Sequence, residues 1–118
     1  MRKTLLWLDD LRNPEKYFSI EEYDIIWVHS YQEFVDFFKK ENYMPDVIWF
    51  DHDLGSNEDG IVLENGCDCA RFLVNWCIDT GIPMCPEYHS QSQNPVGKKN
   101  ILAELDSYSK FLEYEKRK

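Results

Sequence analysis

Apolar residues along this chain fall into short blocks whose spacing alternates between continuous and helical. The runs TLLWL (4–8), IIWV (25–28) and VIWF (47–50) are of strand length and almost wholly apolar, as strands covered on both faces are. A fourth, weaker run spans 84–88 and ends in His89 and Ser90; Pro86 within it suits an edge strand. Between the runs the period lengthens. Ser30 and Glu33 form a Ser-x-x-Glu capping box ahead of Phe34, Phe37 and Phe38, and the helix it opens should end near 39–42. From 67 to 78, Cys69, Ala70, Leu73, Trp76 and Cys77 recur at three and four, with Gly81 and Pro83 closing the helix. Asn94 as cap and Pro95 in the first turn open a last helix with a stripe of Ile101, Leu102, Leu105, Tyr108 and Leu112. The polar stretch 56–60, SNEDG, reads as a turn.

Strands alternating with helices predict an α/β domain with a parallel sheet and helices on both faces. Right-handed crossovers then bring every strand C-terminus to one edge. At that edge the apolar runs stop at charged groups: Asp9 and Asp10 after the first, Asp51, His52 and Asp53 after the third, His89 and Ser90 after the fourth. Carboxylates gathered within a few ångströms cannot all stay ionised without a cation. A hard divalent ion with oxygen ligands, Mg²⁺ above all, resolves the repulsion. The segment Ser90 to Lys99 adds an anion site, because a helix N-terminus beginning at Asn94 favours phosphate. There Gly97 would admit close backbone approach, and Lys98 or Lys99 would bring charge.

Composition narrows the partners. At 118 residues with 43% hydrophobic content, the chain is expected to be one domain, 1–118. No run approaches the roughly 20 apolar residues of a membrane span. The opening MRKTLLWLDD runs into aspartates without a small-residue cleavage site, so a cytoplasmic protein is expected. A net charge of −9 argues against an extended nucleic-acid groove and leaves a small phosphate ligand or a single nucleic-acid end. Cys67, Cys69, Cys77 and Cys85 lack the paired spacing of structural zinc. Buried free thiols are expected.

The order of Asp9-Asp10, Asp51 and Ser90 resembles that of response-regulator receiver domains. In that family the acidic pair holds Mg²⁺, the third-strand aspartate accepts a phosphoryl group and a Ser or Thr binds it. More closely, LWLDDLRNP, FDHDLG and HSxxxNPVGxxN are similar to the receiver-like group proposed to process cyclic phosphates, encoded in bacteria and their phages. The usual fifth strand and its Lys-Pro are not found after Asn94, which leaves Lys98 or Lys99 as substitutes and weakens a signalling role. Asp51-x-Asp53 also resembles the Asp-x-Asp of haloacid-dehalogenase-type phosphatases, but there the metal-binding pair comes late in the chain.

The expected fold is three-layer and flavodoxin-like, with sheet order 2-1-3-4. The expected function is metal-dependent hydrolysis of a phosphoester, a cyclic phosphate on a nucleotide or RNA end. Asp9, Asp10 and Asp51 would hold Mg²⁺. Asp51 would be nucleophile or base, Asp53 a proton donor, and His89 a general acid or phosphate ligand. Ser90, Asn94, Gly97 and Lys98 would bind the phosphate, with Arg12 and His52 as secondary candidates. The alternative is a non-enzymatic module: an atypical receiver or a nucleotide binder.

Overall fold

Alternation along the first strand sets the layers of the computed structural model, which describes residues 2–55 and 64–116, with side chains as far as 111. The stretch 56–60 and the Leu112 side chain lie outside the described residues. The order is β1 (Lys3–Leu8), a 3-10 turn (Pro14–Lys16), β2 (Tyr23–Val28), α1 (Tyr31–Glu41), β3 (Val47–Phe50), α2 (Gly66–Thr80), β4 (Glu87–Ser90) and α3 (Pro95–Lys116). All strand pairs are parallel, in the order β2-β1-β3-β4. β1 is central, which is why TLLWL is apolar at every position but the first.

The even positions Leu6, Leu8, Val28, Ile48 and Phe50 join Phe34, Phe38, Leu73, Ile101 and Leu105 in one buried cluster, so α1, α2 and α3 all pack on that face. The opposite face carries Leu5, Trp7, Val47 and Trp49. It is covered by the β1–β2 connection, whose Tyr17 and Phe18 rings lie against Trp7. The α/β class and the strand order are as the sequence implied, but the second layer is not helical as expected. The connection from Asp9 to Glu22 holds no apolar stripe at helical spacing and carries Pro14, so it forms one 3-10 turn and contributes aromatic rings instead.

The helix ends follow local chemistry. Ser30 Oγ accepts from the Glu33 amide at 3.1 Å, but the Glu33 carboxylate turns to His29 Nδ1 at 3.1 Å, so the expected capping box is only half made. The complete box is at α2, where Asn65 and Asp68 bond each other's backbone amides. Asn42 ends α1 and Gly81 ends α2, both in the left-handed region. β4 lies later than expected: Pro86 precedes it, and the strand continues through His89 and Ser90, paired with Trp49 and Phe50. Pro86 thus needs no ladder donor. No described helix is long and apolar enough to cross a membrane.

The four cysteines are buried and free, three of them on α2 and Cys85 in the connection just before β4. Burial pushes the Cys77 thiol up to about 11 and that of Cys85 up to about 12; Cys69 and Cys67 are raised for the same first reason. Thiolates are the reactive form. The native protein should therefore react slowly with a thiol reagent at pH 8 and titrate four thiols after denaturation; fewer than four in non-reducing denaturant would contradict the free assignment.

Candidate active site

The register decides what meets at the C-terminal edge. Leu8 is level with both Val28 and Phe50, and Phe50 is level with Ser90. The amides one residue further continue the ladder: Asp9 N donates to Val28 O, Asp51 N to Leu8 O and Gln91 N to Phe50 O, at 3.1, 2.9 and 3.2 Å. Asp9, Asp51 and Gln91 therefore stand side by side where three strands end.

Asp9 is 1% exposed and accepts hydrogen bonds on both oxygens. Its Oδ1 accepts from the Leu11 and Arg12 amides, both at 2.9 Å, which folds the loop after β1. Its Oδ2 accepts from Arg12 Nε at 2.8 Å and from Gln91 Nε2 at 3.4 Å. Arg12 continues across the edge, with one terminal nitrogen 3.4 Å from Asp51 Oδ1 and the other 3.1 Å from Gln91 O. The guanidinium thus ties together the loops after β1, β3 and β4. A surface salt bridge, the ordinary role for this arginine, understates it.

Asp51 is 7% exposed, and its pKa is raised to about 6. Burial is the largest cause, followed by the neighbouring Asp9 charge; the His52 amide and Arg12 oppose them and Asp10 adds to them. One guanidinium does not offset burial and two carboxylates. Ligand oxygens of Asp9, Asp10 and Asp51 lie within 4.8 Å of one another. Three carboxylates against one arginine leave two negative charges unbalanced. This donor set is all oxygen and opens onto a cavity of about 420 Å³ with room for water, which fits Mg²⁺.

Asp53, Ser92, Gln93 and Asn94 line the same cavity, with Leu11, Arg12 and Gly55. Gly55 has φ 87, and a Cβ there would sit 3.5 Å from Asp10 Oδ2, so turn geometry demands glycine beside the acidic pair. Gly66 opens α2 for another reason: a Cβ would collide with the Asp51 carbonyl oxygen. Its amide donates to His52 O at 2.8 Å, which clamps the loop after β3 onto the helix.

Five expected site residues stand elsewhere. His89 projects onto the aromatic face, tilted against Trp49 with ring centroids 4.5 Å apart and bonded to Glu87 at 2.8 Å. Ser90 is 4% exposed and its Oγ donates to Phe50 O at 2.7 Å, so it pins β4 to β3. Both lie within the strand, where side chains stand perpendicular to the sheet rather than at its edge. Gly97 does not open space for phosphate; a Cβ there would collide with the His52 imidazole, and its amide is already taken by Asn94 Oδ1 at 3.0 Å. Lys98 is exposed and does not line the cavity. His52 sits behind the cavity, its Nδ1 3.0 Å from Asp53 Oδ1. Gln91 and Ser92, which sequence reasoning missed, are what reach the edge. Extending β4 to Ser90, level with Phe50, would have identified them.

A family model described as cyclic-phosphate processing receiver domain matches residues 4–107. A comparison with curated proteins finds no match. Among solved structures, the chain is similar in fold to a fusion carrying yeast Spc42 trimeric coiled-coil amino acids 181–211, with TM-score 0.57 and 16% identity over 92% of this chain. The chain spans 63% of that structure's length. It also matches the signal receiver domain of a putative LuxO repressor protein from Vibrio parahaemolyticus, with TM-score 0.47 and 15% identity over 98% of this chain and 96% of the other.

The raised Asp51 pKa sets a stability test in metal-free protein. The folded pKa of about 6 exceeds the ordinary 3.8, so the native state binds more protons between these values and stability falls as pH rises from about 4 to about 6. Asp51→Asn should remove that loss and stabilise the metal-free protein at pH 7.5 by on the order of 3 kcal/mol, while abolishing most of the stabilisation expected from Mg²⁺. Urea unfolding with chelator or with Mg²⁺ reads both; equal Mg²⁺ stabilisation in mutant and wild type would contradict the shared site.

Proposed function

The chain belongs to the cyclic-phosphate processing receiver domain family, and from that premise we propose that its acidic edge is a Mg²⁺-dependent site that opens a cyclic phosphate by hydrolysis. The observation that carries this reading is the convergence of Asp9, Asp10 and Asp51 within 4.8 Å, with Asp51 raised to about 6. A carboxylate titrating near neutral pH is suited to take and return a proton. A divalent ion held by Asp9, Asp10 and Asp51 would, when bound, polarise a phosphate oxygen.

The chain's own residues supply the remaining steps. The Asp51 carboxylate accepts a proton from water as its oxygen forms a bond to phosphorus. The ring P–O ester bond breaks, and the leaving oxygen is protonated at the exposed rim, where Asp53 lines the cavity beside His52. Arg12, held by Asp9, keeps the Asp51 carboxylate oriented. The α3 N-terminus, reached through Asn94 on the cavity wall, favours the anionic phosphate. His89 takes no part, because its ring lies on the aromatic face.

Phosphorus NMR of cyclic and linear phosphoesters incubated with the protein and Mg²⁺ tests the proposal. Many molecules of ring-opened product per chain are expected, with a loss of about 10²-fold or more in Asp51→Asn. Retention of one phosphoryl group per chain without further product would instead make the domain a receiver. An unchanged rate in Asp51→Asn would remove Asp51 from the chemistry.

A further inference from the structure

A second, smaller cavity adjoins the acidic one, on the sheet face that the helices leave uncovered. Parallel register sets Trp27, Trp7, Trp49 and His89 in one row across four strands. The row lies two residues before Asp9 and Asp51, so it runs alongside the edge that gathers the carboxylates. Tyr17 stacks on Trp7 at 5.6 Å and 27°, and Phe18 meets both Trp7 and Trp49 edgewise or tilted at 5.7 Å. Together with Arg12 and Gln91 these four rings line a cavity of about 120 Å³.

Two residues link this cavity to the acidic site. Arg12 lines both. Gln91 lines the aromatic cavity while its Nε2 donates to Leu8 O at 2.9 Å and Asp9 Oδ2 at 3.4 Å. Those two acceptors fix which way the amide faces. Its Oε1 is then left buried with no partner among the described residues, a costly state for a carbonyl oxygen unless an N–H reaches it.

Resting on the reading of the acidic edge as a cyclic-phosphate site, we propose that the aromatic cavity holds the base of the substrate, making that substrate a nucleoside cyclic phosphate. The base lies against Tyr17 and Trp49, and one of its N–H groups donates to Gln91 Oε1. Arg12 stands between base and phosphate. Stacking tolerates any base because each has a π-face, whereas the amide oxygen demands a donor.

The test measures, with Mg²⁺ present, the affinities of adenosine 2′,3′-cyclic phosphate, ethylene phosphate (the same ring without sugar or base) and adenosine. The nucleotide should bind at least about tenfold tighter than ethylene phosphate. Tyr17 is 58% exposed, so its replacement spares the core. Tyr17→Ala, and Tyr17→Leu with more bulk retained, should erase that margin while leaving the ethylene phosphate affinity unchanged. Equal affinity for nucleotide and ethylene phosphate, or no effect of either variant, overturns the base site and leaves the hydrolysis reading standing. Adenosine that shifts the Trp49 indole N–H signal when ethylene phosphate does not bind supports the base site while the phosphate reading fails. If none of the three binds, the base site is refuted. An oligoribonucleotide with the same terminal ring, set beside the free nucleotide, identifies the source, and Tyr17 dependence in either supports the cavity.

Discussion

The Arg12 guanidinium, held between Asp9 and Asp51, is the interaction on which the site depends. Two carboxylates this close repel, and burial disfavours the charge on Asp51. The arginine relieves part of that cost and, through Gln91 O, fastens the loop after β4 to the same point. Asp9 is fixed by backbone and side-chain donors on both oxygens. Asp51 is held less tightly, by the His52 amide and a longer contact to Arg12. That inequality separates their roles: Asp9 organises the edge, and Asp51 keeps a proton affinity useful for chemistry.

Close backbone approach supports this arrangement from below. Gly66 lets α2 begin directly against the Asp51 carbonyl, and Gly97 lets α3 pass the His52 ring. The loop Asp51 to Gly55 is thus pressed between two helix starts, each capped by an asparagine, Asn65 and Asn94. A helix N-terminus beside the loop also places positive dipole ends near an anionic site. Fold and chemistry share these residues, so changes at Gly66 or Gly97 act on the site by moving His52 or Asp51.

The strands were legible because β1 and β3 are nearly all apolar, and the acidic edge followed from right-handed crossovers alone. The placement of His89 and Ser90 was not. Hydropathy centred the fourth run on 84–88, whereas pairing with Trp49 and Phe50 carries the strand on to Ser90. That difference turns edge residues into face residues, and no local pattern in EYHS distinguishes the two. Gly97 was misjudged for a similar reason: its neighbour is a ring from a loop 45 positions away in sequence, between His52 and Gly97. Arg12 looked ordinary because three residues from an aspartate is also the spacing of a surface pair. Only the burial of Asp9 and the proximity of Asp51 give it weight.

If residues from separate strand ends form one cation site, an amide NMR titration with Mg²⁺ shifts Asp9 to Arg12, Asp51 to Asp53 and Gln91 together on one saturable curve, while Glu87 and Tyr88 stay still. Shifts confined to a single loop, or a response that never saturates, would contradict a shared site and leave the carboxylates as an acidic rim.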